Sequence, residues 1–170
     1  MKPFKRRIYR GFGQFWGEFR YLMSHRHKMR AVMRGGLVSF AFRERLMLAV
    51  TSVNRCRYCT YYHSKLALES GLEPAEMRSL LGGGFEGSPT NEAPALLYAQ
   101  HWAETEGRPE VEAVHRLAET YGAEKAEAID LVLRAIRMGN LSGNTFDYLL
   151  HLISFGRWGR YEPTGDPARD

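Results

Sequence analysis

The chain contains little cysteine and no long apolar run. Only two of its 170 residues are cysteine, which excludes the disulfide framework that holds many small secreted domains together. No run of about 18 apolar residues, the length that a membrane-spanning helix needs, is present. No uninterrupted apolar stretch follows the basic N-terminus, as a secretion signal would require. Together with the length of 170 residues, which suits one domain, these absences predict a protein that stays in the reducing environment of the cytoplasm.

Acidic residues are scarce in residues 1–35, which contain ten lysines and arginines but only one glutamate, Glu18. Because the whole chain has a net charge of +5, this segment carries +9 and the rest of the chain carries −4. Its apolar residues recur at steps of three and four, on one face of a predicted helix: Ile8, Phe12, Phe15, Phe19 and Leu22. We therefore predict a basic, aromatic N-terminal arm. It either docks on the body or a neighbouring subunit, or contacts an anionic membrane or nucleic acid.

The rest of the chain shows helical periodicity and short connections rich in Gly or Pro. Helices are predicted at 42–53, 58–70, 74–81, 93–106, 110–121, 123–138 and 145–155. The segment GNLSGN at 139–144 is predicted to break the chain, with Asn144 capping the last helix. Asp147 and His151, four residues apart, are interpreted as a local helix contact. The predicted fold is all-α, with one compact domain at 36–160 and a flexible tail at 161–170.

Both cysteines lie in the stretch NRCRYCTYYHSK, residues 54–65. Two helices joined by so short a connection are antiparallel neighbours, which places Glu44 on the first level with His63 on the second. Cys59 and His63 share one face of the second helix, one turn apart, and Cys56 precedes its first turn. The pattern therefore predicts an antiparallel helical hairpin with four chemically active groups along one line.

Each group in this line has a chemical use. A helix N-terminus and a histidine both lower the pKa of a thiol, and we expect this effect at Cys59. A carboxylate beside His63 fixes its tautomer, so that protons can pass between the thiol, the imidazole and Glu44. Cys56 lies near enough to convert an oxidised Cys59 into a disulfide. These are the parts of a dithiol peroxidase or disulfide reductase.

Three interpretations of the CxxC motif remain open at this point: a redox dithiol, a zinc site and the inert packing of two small residues. Glu44, Cys56, Cys59 and His63 are all permissible zinc ligands. However, the sequence contains no second CxxC, and a histidine four residues after Cys59 on one helix is an awkward fit for a tetrahedron with both sulfurs. We therefore predict neither a metal nor another cofactor.

The stretch FRERLMLAVTSVNRCRYCTYYHSKLALESGL, residues 42–72, resembles the alkylhydroperoxidase D-like branch of the carboxymuconolactone decarboxylase family. The shared pattern is a glutamate twelve residues before CxxCxxxH, within two helices ended by a glycine. The resemblance implies a homo-oligomeric helical enzyme that reduces hydroperoxides or disulfide-type partners. Its reductant would be an external dithiol, thioredoxin-like or lipoyl donor. The decarboxylase branch lacks the cysteine pair, which disfavours decarboxylation.

Carried over by position, the resemblance gives each residue of the motif a role. Cys59 would attack the peroxide, Cys56 would resolve the oxidised thiol, His63 would accept the proton and Glu44 would end the relay. The best-known peroxidases of this branch have a second histidine where this chain has Tyr58. Because a phenol with a pKa near 10 hardly accepts a proton at neutral pH, we expect a slower or differently routed relay, with Tyr58 as a candidate relay residue.

The second hypothesis for the function is a binding or regulatory module. In this hypothesis the dithiol senses redox state or holds zinc, while the basic arm engages an anionic membrane or nucleic acid.

Overall fold

The computed structural model describes residues 3–159, which form eight α-helices and no strand. The helices are, in chain order, α1 (Phe12–Ser24), α2 (Arg26–Met33), α3 (Phe40–Asn54), α4 (Arg57–Glu69), α5 (Pro74–Leu81), α6 (Ala93–Glu104), α7 (Val111–Tyr121) and α8 (Ala123–Ile153). The prediction of an all-α fold is confirmed. The predicted flexible tail at 161–170 lies outside the described residues. Among the described helices, none is both long and apolar enough to cross a membrane.

Helix α3 is the centre of the fold and packs against α4, α5, α6 and α8. Ten of its fifteen residues are buried, as expected for a helix that is covered on all sides. The hydroxyl of Ser39 accepts a hydrogen bond from the backbone N–H of Phe42 and caps its first turn. At its other end Arg55 adopts a left-handed conformation with φ of 56°. This turn reverses the chain into α4 and produces the predicted hairpin.

Helix α8 runs without interruption for 31 residues. The prediction that GNLSGN separates two helices is therefore wrong, and so is the prediction that Asn144 is an N-cap. Asn140 and Asn144 are fully buried inside the helix. The Nδ2 atom of Asn140 donates to Oγ1 of Thr51 at 3.1 Å, and Nδ2 of Asn144 donates to the carbonyl oxygen of Asn54 at 2.7 Å. These contacts with α3 occupy side chains that otherwise compete with helical hydrogen bonds.

The N-terminal arm lies on the body of the same chain. Both α1 and α2 pack against α8, and Arg137 of α8 forms an ion pair with Glu18 of α1. Of the predicted apolar stripe, Leu22 is buried whereas Phe12 is exposed. Before α1, residues 3–11 form an irregular segment against α8, which we call the strap. The docked arm agrees with the first of the two interpretations given above.

Candidate active site

The hairpin of α3 and α4 joins Glu44 to His63. The Nδ1–H of His63 donates to Oε2 of Glu44 at 2.7 Å. The carboxylate is fully buried, and the imidazole is largely buried. Because the bond uses Nδ1, it fixes the orientation of the ring and leaves Nε2 as the other proton-carrying atom. The predicted pairing of these two residues is confirmed.

Arg43 holds the other oxygen of the same carboxylate. Its Nε and Nη2 atoms donate to Oε1 of Glu44 at 3.2 and 3.1 Å, and its Nη1 donates to the carbonyl oxygen of Met33 at 2.6 Å. Glu44 is therefore fixed between a guanidinium and an imidazole. Arg43 was not among the residues predicted from the sequence, although an arginine inside so apolar a helix is itself a sign of a buried ion pair.

Cys56 and Cys59 lie together at the start of α4 as free, buried thiols. Cys56 is the N-cap, and its Sγ atom accepts a hydrogen bond from the backbone N–H of Cys59 at 3.3 Å. Cys56 is completely inaccessible, whereas Cys59 retains 9% of its surface. An oxidant therefore reaches Cys59 more readily than Cys56.

The two thiols have opposite pKa shifts. A hydrogen bond from Cys59 lowers the pKa of Cys56, and backbone N–H groups at the start of α4 lower it further. The same thiol–thiol hydrogen bond raises the pKa of Cys59, and burial adds to this effect. The expectation of a lowered pKa at Cys59 is therefore wrong. The helix N-terminus acts on the sulfur of Cys56, so Cys56 is the more readily deprotonated thiol of the pair and Cys59 is the thiol that donates their shared hydrogen bond.

The four predicted residues thus form two pairs, Cys56 with Cys59 and Glu44 with His63. Cys59 and His63 are one helical turn apart, and no hydrogen bond joins them within the described part of the chain. Nor do any three His, Cys, Asp or Glu side chains among residues 3–159 converge as metal ligands would. The arrangement supplies two thiols that share a proton beside a carboxylate–imidazole pair.

The hydroxyl of Tyr58 forms hydrogen bonds with Asp147 of α8 and with its sequence neighbour Arg57. This hydroxyl donates to Oδ1 of Asp147 at 2.8 Å and accepts from Nη2 of Arg57 at 2.7 Å. Burial raises the pKa of Tyr58, and its bond to Asp147 favours the protonated phenol as well. Neither partner is His63, so a relay through Tyr58 stays a prediction.

A model of the carboxymuconolactone decarboxylase family matches residues 18–105. This range covers more than half of the chain and includes the whole hairpin with both cysteines. The chain belongs to the carboxymuconolactone decarboxylase family. No curated protein and no solved structure gives a significant match. The match ends before α8 and begins after the strap, although both segments contribute to the site of this family member.

In this carboxymuconolactone decarboxylase family protein, α8 forms a wall of the dithiol site. Asn140 accepts a hydrogen bond from Nδ2 of Asn54 at 3.1 Å, and a side-chain hydrogen bond with Asn140 acts to lower the pKa of Cys59 against its larger upward shifts. A Cβ atom at Gly143 would lie 2.8 Å from Sγ of Cys56. The glycine is required here because α8 approaches the thiol so closely.

Asp147 ties this wall to the first turn of α4. Its carboxylate is fully buried and accepts from Nη2 of Arg57 at 2.7 Å, as well as from the Tyr58 hydroxyl. It also accepts from Nη1 of Arg6 in the strap at 2.8 Å. The interpretation of Asp147 as a local helix contact missed these long-range bonds. The unusual density of Asn and Gly in GNLSGN was the available signal that this part of α8 faces the thiols.

Proposed function

We propose that this family member is a thiol-dependent peroxidase of the alkylhydroperoxidase D-like branch, with a Cys56–Cys59 dithiol–disulfide cycle. The observation that supports this proposal best is the hydrogen-bonded pair of thiols at the start of α4, placed one turn from an imidazole that a buried carboxylate orients. Such a pair provides both the attacking and the resolving thiol, and the imidazole provides a proton carrier. The cycle needs no metal and no prosthetic group.

The first half of the proposed reaction takes place at Cys59, the more accessible thiol. In this proposed step Cys56 starts as a thiolate and His63 as an imidazolium. Cys59 transfers its proton to the Cys56 thiolate along their hydrogen bond and attacks the terminal oxygen of the hydroperoxide. The O–O bond breaks, Cys59 becomes a sulfenic acid, and the departing alkoxide takes a proton from the imidazolium of His63 to form the alcohol. Glu44 holds the imidazole in its orientation through Nδ1 during this step.

The second half forms the disulfide. Cys56 attacks the sulfur of the Cys59 sulfenic acid, and its proton passes through His63 to the departing hydroxide. One hydroperoxide and two thiols thus give one alcohol, one water and one disulfide. An external dithiol, a thioredoxin-like protein or a lipoyl group then reduces the disulfide and is itself oxidised.

The proposal includes a homo-oligomer in the cytoplasm, where thiols are kept reduced. Large apolar side chains on α4 and at the end of α8 are exposed in the single chain: Tyr61, Tyr62, Phe146, Leu149 and Ile153. A group of such side chains is typical of a surface that another protein covers. Sedimentation velocity of the purified protein would test this assembly.

Stopped-flow oxidation tests the peroxidase directly. Reduced, metal-free protein is mixed with hydrogen peroxide or an organic hydroperoxide, and mass spectrometry then identifies the sulfur species. We expect rapid oxidation that ends in a Cys56–Cys59 disulfide in the unaltered protein, a sulfenic or over-oxidised Cys59 in Cys56→Ser, and no rapid phase in Cys59→Ser. Full peroxidase activity in Cys59→Ser would falsify the proposal.

A redox-sensing module is the second candidate function, because the raised pKa of Cys59 disfavours its reactive thiolate. The basic side chains of Arg20, Arg26 and Arg30 are exposed on α1 and α2 and supply a surface for an anionic membrane or nucleic acid. Slow oxidation by peroxides combined with rapid oxidation by a disulfide would favour this candidate. Its arm would bind anionic vesicles or DNA in a salt-dependent manner, and replacing these three arginines by glutamine would abolish the binding. Stoichiometric zinc in the purified protein would instead favour a zinc-holding module.

A further inference from the structure

The strap is bound to the part of α8 that faces Cys56. The backbone N–H of Tyr9 donates to Oγ1 of Thr145 at 3.0 Å, and Nδ2 of Asn144 donates to the carbonyl oxygen of Arg7 at 2.9 Å. The strap therefore bonds along α8 at the positions next to Gly143, where an added Cβ atom would meet the Cys56 sulfur.

Arg6 of the strap has its side chain buried in this region. Its side chain is only 5% exposed. Its Nη1 atom donates to Oδ1 of Asn144 at 3.1 Å and to Oδ2 of Asp147 at 2.8 Å, and its Nη2 donates to the carbonyl oxygen of Gly159. Three acceptors thus fix the guanidinium in one position, so its charge has a constant location relative to α8.

The two acceptor side chains of Arg6 also hold the segment that carries Cys56. Asn144 donates to the carbonyl oxygen of Asn54, two residues before Cys56. Asp147 binds Arg57 and Tyr58, the two residues after it. The residues before and after Cys56 in the chain are therefore held by Asn144 and Asp147, the two side chains that also bind Arg6.

The charges around Cys56 leave a net positive balance. Arg57 of α4 and Arg6 of the strap bring two guanidinium groups, Asp147 of α8 brings one carboxylate, and the Cys59 thiol and the Tyr58 phenol are neutral at pH 7. The hydrogen bond from Cys59 is the largest cause of the lowered pKa of Cys56, and the charge of Arg6 lowers it further. The cluster as a whole favours an anion at the Cys56 sulfur.

We propose that Arg6 is a positioning residue of the dithiol, whose fixed charge stabilises the Cys56 thiolate and so favours the reduced pair over the disulfide. Stabilisation of the thiolate makes a dithiol pair a stronger oxidant, because the reduced form gains free energy and the disulfide does not. This inference rests on the proposed function, since it concerns the same pair. It can nevertheless be measured without any peroxide.

Two equilibrium measurements test the role of Arg6. In a C59S background only one thiol remains, so the absorbance of the thiolate at 240 nm reports the titration of Cys56 alone. With both cysteines present, equilibration against reduced and oxidised dithiothreitol gives the reduction potential of the pair. Arg6→Gln removes the charge, Arg6→Lys keeps it, and Arg10→Gln is the matched control. Arg10 lies in the same strap, but its exposed side chain pairs with Glu106.

We expect Arg6→Gln to raise the pKa of Cys56 and to shift the equilibrium towards the disulfide by about threefold to tenfold, where tenfold corresponds to about 30 mV for a two-electron couple. Arg6→Lys should retain most of the unaltered values, and Arg10→Gln should retain all of them. Arg6→Met also removes the charge, and its apolar side chain needs no buried hydrogen-bond acceptor, so it should shift both quantities in the same direction. It provides the test if Arg6→Gln does not fold.

Equal shifts in Arg6→Gln and Arg6→Lys would overturn the proposal, because they would show that the shape of the side chain matters and its charge does not. So would unaltered values in Arg6→Gln, or in Arg6→Met if that is the variant that folds. A failure of the peroxidase proposal would look different: peroxide would oxidise the unaltered protein slowly, while the charge-dependent shifts of the thiol pKa and of the dithiothreitol equilibrium would remain.

Discussion

Two buried carboxylates, Glu44 and Asp147, bind different parts of α4, and they differ in how far along the sequence their partners lie. Glu44 binds Arg43, its neighbour in sequence, and His63, nineteen residues away in the same hairpin. Asp147 binds Arg57, ninety residues away, and Arg6, 141 residues away in the strap. Glu44 therefore binds its side-chain partners within the hairpin, whereas Asp147 connects the N-terminal strap and helix α8 to the start of α4.

This difference indicates that the two carboxylates affect different properties of the same site. Glu44 orients the imidazole that carries protons, so it acts on the rate of the chemistry. Asp147 binds the guanidinium groups of Arg6 and Arg57 near Cys56. It therefore affects the stability of the Cys56 thiolate and the attachment of the strap to α8. Substitutions on the two sides should consequently affect different measurements.

The largest effect on stability is expected for Asp147→Asn. The substitution leaves Arg6 and Arg57 without their carboxylate, and breaking a buried pair by removing one partner costs about 3 to 5 kcal/mol. Asp130→Asn on the same helix is the control, because Asp130 forms a partly exposed pair with Arg134 four residues away, worth about 0.3 to 0.5 kcal/mol. Urea unfolding measures both. Equal losses would show that Asp147 does not anchor the strap.

Glu44→Gln should lower both the free energy of unfolding and the rate of dithiol oxidation, and the two effects can be measured separately. It leaves the buried guanidinium of Arg43 without its charged partner, at a cost of about 2 to 3 kcal/mol, and it should slow oxidation of the dithiol by about a hundredfold because His63 loses its orienting carboxylate. Stopped-flow oxidation and urea unfolding of the same preparation provide the two readouts.

Glu76→Gln is the matched control for Glu44→Gln. Glu76 is also buried and paired, with Nε of Arg45 at 2.5 Å, but it belongs to α5. We expect a similar loss of stability with an unchanged rate of oxidation. If both variants slowed oxidation equally, the effect of Glu44 would be a consequence of destabilisation alone.

Two glycines of α8 provide a smaller and more local test. A Cβ atom at Gly143 would meet the Cys56 sulfur, whereas a Cβ atom at Gly139 would have no other atom within 4 Å. Gly143→Ala should therefore destabilise the protein by about 1 to 2 kcal/mol through overpacking. Gly139→Ala should stabilise it by about 0.5 to 1 kcal/mol through the higher helix propensity of alanine. Urea unfolding distinguishes the signs, and stabilisation by both would mean that α8 can move away from Cys56.

The two sides of the site also differ in how far the sequence predicted them. The hairpin was predicted well, because its register follows from a short connection and the rise of a helix. Those rules place Glu44 beside His63 without any knowledge of the rest of the fold. The same local rules assigned the lowered pKa to Cys59, and only the structure shows that the first N–H groups of α4 act on Cys56.

The side formed by α8 and the strap could not be predicted by such rules. The propensities of Gly and Asn correctly describe what GNLSGN would do in isolation, namely end a helix. In the folded protein Asn140 and Asn144 bond to α3 and its C-terminal end, and these tertiary contacts outweigh the local preference. Arg6 was counted only as part of a basic arm, because nothing in its neighbourhood reveals a partner 141 residues away.

The last test concerns two tyrosines, one in the body of the protein and one in the strap. Burial raises the pKa of Tyr98 in α6 and of Tyr9 in the strap from 10.0 to about 12. A raised pKa contributes stability that is complete below pH 10 and is lost as the pH rises through about 12, because only the unfolded chain ionises in this range. At pH 11 each tyrosine should have lost about 1.4 kcal/mol of its contribution.

Phenylalanine substitutions at these two positions test whether the strap unfolds together with the body. Tyr98→Phe should reduce the difference in unfolding free energy between pH 8 and pH 11 by about 1.4 kcal/mol. Tyr9→Phe should reduce it equally, while also losing at both pH values the hydrogen bond that the Tyr9 hydroxyl donates to Glu18 at 2.6 Å. If only Tyr98→Phe reduces the difference, Tyr9 has ionised in a folded body, which means that the strap and its Arg6 detach from α8 before the remainder of the protein unfolds.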